Sequence, residues 1–162
     1  MITTTFENKN TKFAQSDLIG SWKLVEFLIE DLTGKTNHWG ENCTGLLLYT
    51  KDNQMSVSIN RKVEAKSDIE EKNFFDSILF YSGVFKTDSV NENNPELLKN
   101  PFTNSNITIK HSVQHASNPN RIGKELLRYV GYDTTTDKNI YMTLSSPVES
   151  FGRGVIRWKK IA

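Results

Sequence analysis

The sequence has little of what defines several common protein classes. Its 162 residues include one cysteine, Cys43, so the chain can form neither an internal disulfide nor a thiolate metal cluster of its own. It has no apolar run of about eighteen residues, and its polar N-terminus has no apolar stretch of signal-peptide length. These absences favour a soluble protein of a reducing compartment, and we expect a cytoplasmic location.

Neither positive nor negative charge is in large excess. Twenty basic and nineteen acidic residues give a formal net charge of +1, spread along the chain without a basic block. This balance gives no electrostatic reason to expect nucleic acid or an anionic membrane as a partner. The chain also has no nucleophile elbow, phosphate-binding glycine-rich loop or dinucleotide fingerprint, which excludes the enzyme classes that carry them. We therefore expect no cofactor.

The sequence does contain repeated alternation of apolar and polar residues with period two, which is typical of half-buried strands. Strands are predicted at 20–29, 45–50, 55–59, 81–87, 107–114, 126–131, 139–145 and 154–160. About eight strands joined mostly by short connections predict an all-β domain, an up-and-down antiparallel β-barrel. A sandwich of two sheets would use the same alternation and is the alternative architecture.

Two segments interrupt the strand pattern. Residues 1–16 have few apolar anchors, so they are predicted to form a flexible arm before a barrel domain at 17–162. Residues 90–104 are rich in Asn and contain two prolines, which predicts an inserted surface loop with one helical turn at Glu96 to Lys99.

One short helix is predicted between the third and fourth strands. Ser67 and Glu70 form a capping box at its start. The apolar stripe of this helix would consist of Phe74, Phe75, Ile78 and Leu79.

Two polar residues occur on apolar strand faces. His111 shares a face with the aliphatic residues of 107–113, and Arg128 shares one with Leu126 and Val130. Both are predicted to point inward. Burying an unpaired charge is expensive, so Arg128 requires backbone carbonyls, an anionic ligand group or a carboxylate such as Glu26, which alternation places in the lumen if Trp22 points inward.

We predict a ligand-binding site of five residues, Tyr49, Met55, Tyr81, His111 and Arg128. The tyrosines and the methionine would supply apolar walls with two hydroxyl groups, as small-molecule pockets require, although core packing explains these three residues equally well.

The case for a functional role is weaker for the other two histidines, His38 and His115. His38 and Trp39 precede the second strand and would rim the mouth of the barrel or belong to an exposed loop. His115 alternates in phase with His111, so the two could share a face. No third ligand has suitable spacing, and no metal site is predicted.

Four pieces of the sequence together resemble a known family. In chain order they are 18–24 (LIGSWKL), 40–50 (GENCTGLLLYT), 81–85 (YSGVF), and the combination of His111, Ser117-Asn-Pro119, Gly123 and Arg128. They resemble the bacterial and fungal lipocalin-like domain family, a calycin-type barrel, over residues 17–160. The resemblance implies that Trp22 plugs the closed end and stacks with an arginine of the last strand, Arg157 or Arg153. Leu126 stands where the family commonly has a polar amide, which makes this lumen more apolar.

These observations predict that the barrel lumen binds a small, largely apolar molecule bearing a polar or anionic group, which would meet His111 and Arg128. Some barrels related to the family act as cofactor-free cyclases or isomerases, so the resemblance implies an alternative in which His111 serves as acid or base. A fully packed barrel would instead indicate an interaction domain. The oligomeric state is left open.

Overall fold

The computed structural model of the protein describes residues 4–62 and 77–162. In chain order its elements are α1 (Gln15–Leu18), β1 (Gly20–Glu30), β2 (Thr36–His38), β3 (Thr44–Tyr49), β4 (Gln54–Asn60), β5 (Ile78–Ser89), α2 (Pro95–Lys99), β6 (Ile107–Ala116), a 3-10 turn (Pro119–Arg121), β7 (Glu125–Thr134), β8 (Ile140–Ser145) and β9 (Arg153–Lys160).

Eight of these strands form a closed antiparallel barrel. Each strand from β3 to β9 pairs with the next one along the chain, and β1 pairs with both β3 and β9, which closes the sheet. The short β2 is an extra strand that continues the β3 side of β1 at Leu28–Glu30. The predicted up-and-down barrel is therefore confirmed, and the pairing of β1 with β9 excludes an open two-sheet sandwich.

Trp22 fills one end of the barrel interior and is fully buried. Its indole Nε1 donates a hydrogen bond to the Leu18 carbonyl oxygen at 2.8 Å, and the Lys160 ammonium lies 5.4 Å from the centroid of its ring. The cation on the tryptophan is thus a lysine, and the prediction of Arg157 or Arg153 is wrong. Both arginines are instead engaged in ion pairs, with Asp133 and Glu30 respectively.

A β-bulge in β1 decides which way Glu26 faces. The pairing of β1 with β9 shifts between Leu24, which lies opposite Trp158, and Glu26, which lies opposite Arg157. Directly paired residues share a face, whereas the successive residues Arg157 and Trp158 point to opposite faces. Glu26 therefore does not share the lumen face of Trp22 and Leu24, because the bulge shifts the alternation by one residue. The prediction of a lumen carboxylate at Glu26 is wrong.

A second bulge turns His115 outward. Ser82 lies opposite His115 and Gly83 lies opposite Val113, so Gln114 is the extra residue on β6. His115 is consequently exposed, whereas His111 is buried. His111 and His115 therefore do not share a face of the strand, although simple alternation suggests that they could.

Gly83 is the point of closest backbone approach at this second bulge. A Cβ on Gly83 would lie 1.9 Å from the Ser112 carbonyl oxygen. We expect Gly83→Ala to lower the free energy of unfolding by about 2 kcal/mol, since the backbone must shift to relieve the overlap. In the control Gly154→Ala, the new Cβ would meet its nearest atom, in Phe27, at 3.8 Å. Equal losses for the two variants in urea denaturation would contradict this account.

The chain from Asn100 to Ser105 is buried against the outside of the barrel rather than exposed. The Thr103 hydroxyl donates to the Val130 carbonyl oxygen at 2.6 Å, and the Asn104 amide donates to the Tyr132 carbonyl oxygen at 2.8 Å. The prediction of a surface loop is wrong for this part of 90–104, because its polar side chains bond to the backbone of β7 instead of to water. The predicted helical turn is present as α2.

Residues of the N-terminal arm lie along this buried segment. The Phe6 amide donates to the Pro101 carbonyl oxygen at 2.7 Å, and the Thr11 amide donates to that of Asn104 at 3.0 Å. The ring of Phe13 belongs to the core and lies 5.3 Å from that of Tyr132. These contacts attach the arm to the barrel at three points, while the division into 1–16 and 17–162 stays a prediction.

The described part of the chain contains two short α-helices, α1 and α2. The predicted capping box at Ser67 lies outside the described residues, and Ile78 and Leu79, assigned to the apolar stripe of that helix, are in β5. In the turn between β3 and β4, Asn53 has positive φ (67°). Within residues 4–62 and 77–162, no helix has the length and hydrophobicity needed to cross a membrane.

Candidate functional site

A cavity of about 270 Å³ lies in the barrel, beside the later part of β1 and the earlier part of β9. Its wall is mostly apolar and includes Phe27, Val57, Leu79, Leu126, Leu144 and Ile156. Tyr81 and Arg128 supply polar groups to this wall, while Arg121 and Glu149 line it from the connecting segments. The barrel is therefore not fully packed.

Trp39 forms part of the cavity mouth. Its ring stacks on that of Phe27, with centroids 5.1 Å apart and planes 13° apart. The guanidinium carbon of Arg61 lies 4.5 Å from the Trp39 centroid, and Arg61 Nη1 donates to the Trp39 carbonyl oxygen at 3.2 Å. Trp39 thus lines the mouth, whereas the neighbouring His38 is exposed on β2.

His111 lies between two tyrosine hydroxyl groups in the interior. Its Nε2 is 2.6 Å from the Tyr49 hydroxyl oxygen, and its Nδ1 is 2.8 Å from that of Tyr81. The imidazole is 1 % exposed. The three side chains come from β6, β3 and β5, and they converge because each occupies the inward face of its strand. Both ring nitrogens are therefore engaged by protein groups.

Burial controls the protonation states of His111 and Tyr49. It lowers the pKa of His111 well below its usual value, and the positive charge of Arg128 lowers it further. Burial likewise raises the pKa of the Tyr49 phenol well above its usual value, an effect to which Tyr81 adds. At neutral pH the imidazole is therefore uncharged, with one nitrogen donating and the other accepting.

The deeper burial of Tyr49 favours one tautomer of His111. Tyr49 is 2 % exposed, so its O–H group requires an acceptor, and His111 Nε2 is positioned to accept. The proton of the neutral ring is then on Nδ1 and is donated to the Tyr81 oxygen. In this tautomer the O–H group of Tyr81, which belongs to the cavity wall, is not used by His111.

Two of the five predicted site residues line the cavity, and the other three lie behind its wall. Tyr81 and Arg128 line the cavity. His111 lies behind Tyr81, and Tyr49 lies behind His111, each one hydrogen bond further from the cavity. Met55 is 3 % exposed and packs in the core cluster. The arrangement separates polar groups that touch the cavity from those that orient them.

Arg128 has the inward direction that its strand pattern predicts. It lies opposite Ile109 on the inner face of the sheet, is half-buried, and uses Nη1 to donate to the Leu127 carbonyl oxygen at 2.9 Å. Arginine ion pairs in the described ranges join Arg153 to Glu30 and Arg157 to Asp133. Among the described residues, the guanidinium of Arg128 therefore has no carboxylate partner.

Three residues near the mouth were missed by the sequence reasoning: Arg61, Arg121 and Glu149. Arg121 and Glu149 lie in connections, where alternation carries no information, and Arg61 directly follows β4. Their charge was the available signal, but charged residues outside strands are usually solvated surface.

Reactive thiol or metal chemistry has little support in this structure. Burial raises the pKa of Cys43, so its thiol is not activated as a nucleophile. Across 4–62 and 77–162, His, Cys, Asp and Glu side chains form no group of three that could hold a metal ion.

Comparison with known proteins agrees with this geometry. The sequence model of a family described as a lipocalin-like domain matches residues 19–161, a span that contains every strand from β1 to β9. No curated protein sequence matches the chain.

Proposed function

Because the chain belongs to the lipocalin-like domain family, we propose that it binds a small, largely apolar molecule with a polar or anionic group inside its barrel. The observation that carries the proposal is the apolar cavity with Tyr81 and Arg128 on its wall. An apolar pocket with a few placed polar groups is the usual form of a small-molecule site. A cytoplasmic location is part of the proposal, on the sequence grounds given above.

The volume of the cavity sets the size of the molecule. At about 270 Å³ it lies just below the range of about 300–1,000 Å³ found for most ligand pockets. The ligand is therefore small, and its apolar part gains affinity by leaving water for the wall around Leu126 and Leu144.

The polar group of the ligand meets Tyr81 and Arg128 in this proposal. Arg128 offers charged N–H donors, and Tyr81 offers the O–H group that His111 does not use in the favoured tautomer. His111 itself acts through Tyr81, because both of its nitrogens are already bonded. This refines the expectation that the ligand would touch the imidazole.

Filling the cavity tests the proposal. We expect Leu126→Trp to abolish retention of small molecules, because the larger side chain occupies the lumen. Leu32→Trp is the matched control, since Leu32 is 66 % exposed. The purified proteins are incubated with a metabolite extract and examined by native mass spectrometry. Stoichiometric adducts on the wild type and the control but not on Leu126→Trp are the expected result; adducts retained by Leu126→Trp, or no adduct on the wild type, would refute it.

A second candidate function is that of a cofactor-free isomerase or cyclase. It is favoured by one observation, the Tyr81 hydroxyl supported by a neutral His111, which can donate to a carbonyl oxygen as negative charge develops there. The same extract separates the two functions. A carrier retains a compound in stoichiometric amount, whereas an enzyme consumes it over many turnovers.

A further inference from the structure

A second space adjoins the mouth of the barrel cavity. Its volume is about 500 Å³, and its lining includes Arg61 and Asn118. Trp39, Leu79 and Arg121 line both spaces. A molecule that occupies the lumen can therefore extend past these shared residues without leaving the protein surface.

Positive charge collects where the two spaces meet. Arg61 and Arg121 both line the outer space, and Arg121 also lines the inner one. In the part of the chain that the structure describes, neither arginine forms an ion pair with a carboxylate. Glu149 is the acidic residue on the lining of the barrel cavity, and its negative charge disfavours an anion close to it.

The guanidinium of Arg61 and the backbone of Arg121 are both held by neighbouring groups. Arg61 is held by the ring and the carbonyl oxygen of Trp39. Arg121 ends the 3-10 turn, where its amide donates to the Asn118 carbonyl oxygen at 3.0 Å and its carbonyl accepts from Lys124 at 3.1 Å. Because the Arg61 guanidinium is already held in place, less side-chain entropy is lost when it binds a ligand, and the turn fixes the position from which the Arg121 side chain extends.

We propose that Arg61 and Arg121 bind a carboxylate or phosphate at the outer end of the ligand. The planar guanidinium fork matches the paired oxygens of both groups. The inference rests on the proposed function, which places the inner polar group of the same molecule at Tyr81 and Arg128. The ligand is then a short apolar molecule with a polar inner end and an anionic outer end.

Three probes of equal chain length test this assignment: α,ω-octanediol, ω-hydroxyoctanoate and ω-hydroxyoctyl phosphate. All three present a hydroxyl group to the inner site, and they differ at the outer end. We expect the two anionic probes to bind the wild type about tenfold more tightly than the diol in isothermal titration calorimetry, as for a charge-assisted hydrogen bond. Whichever anionic probe binds more tightly identifies the group preferred at the mouth.

Variants show which residues are responsible for the tighter binding of the anionic probes, called the gain below. Arg61→Gln and Arg121→Gln are each expected to remove most of the difference in affinity between the anionic probes and the diol, which is measured within each variant. Lys124→Gln removes an exposed cation beside the turn and is the matched control that keeps the gain. Arg128→Gln is expected to weaken all three probes, because it alters the inner site.

The outcomes separate this inference from the proposed function. If the diol binds as tightly as the anionic probes, the assignment of Arg61 and Arg121 is overturned and the lumen site stands. The same conclusion follows if Arg61→Gln and Arg121→Gln both keep the gain. Loss of the gain only in Arg128→Gln overturns it too, because the anion then binds inside. If no probe binds the wild type, both proposals fail.

Discussion

Replacing His111 with leucine is expected to lower the free energy of unfolding by about 3 kcal/mol, as a buried hydroxyl loses its partner and a hydrogen-bonded ring is deleted. The effect is large because Tyr49 is 2 % exposed and bonds to the imidazole at 2.6 Å. Leucine leaves the Tyr49 O–H group buried without an acceptor. Glutamine at the same position keeps one donor and one acceptor, so His111→Gln is expected to lose less.

The matched control for this prediction is His115→Leu. His115 lies on the same strand but is exposed, and surface substitutions usually change stability by about 0.5 kcal/mol or less. Urea denaturation at neutral pH measures all three variants. A leucine variant at His111 as stable as the control would show that the hydrogen bonds of His111 with Tyr49 and Tyr81 contribute nothing to stability.

The pH dependence of stability is the second large effect expected from His111. In the unfolded chain the imidazole titrates near 6.5, whereas burial and Arg128 hold its pKa well below that in the folded protein. Below 6.5 the unfolded state therefore binds a proton that the folded state does not. The free energy of unfolding is expected to fall as the pH decreases from there, by at most about 1.4 kcal/mol per pH unit for this one proton.

Variants distinguish the contribution of His111 to the pH dependence of stability from the contributions of other titratable groups. His111→Gln is expected to remove the slope between pH 6.5 and about pH 5, a range in which few ordinary carboxylates titrate. His115→Gln, which removes an exposed histidine, is expected to keep it. The measurement is a series of denaturation curves across this interval. An unchanged slope in His111→Gln would mean that the buried imidazole is not the group responsible.

Much of the barrel could be predicted because alternation reports directly on which face of a strand is buried. Met55, Val57 and Ile59 on β4 are all buried, with more exposed residues between them, as the sequence predicted. Prediction failed at Glu26 and His115, where each strand carries an extra residue. A bulge changes the face of every later residue, and the sequence of these strands has no local sign of it.

The candidate site was predictable in part for the same reason. His111 and Arg128 interrupt aliphatic faces, so their inward direction follows from their neighbours in sequence. The contacts of His111 with Tyr49 and Tyr81 do not follow, because they cross between strands that closure of the barrel brings together. The roles of Arg61 and Arg121 depend on the paths of connecting segments, which periodicity does not describe.

The central claim is that the barrel lumen accepts a small molecule beside Tyr81 and Arg128. The most direct measurement is a set of intermolecular nuclear Overhauser effects between ω-hydroxyoctanoate and the methyl groups of the protein. We predict contacts from the alkyl chain to Val57, Leu126, Leu144 and Ile156, which line the cavity. Contacts confined to exposed residues such as Leu98 and Val148, with none to the lumen, would contradict the account.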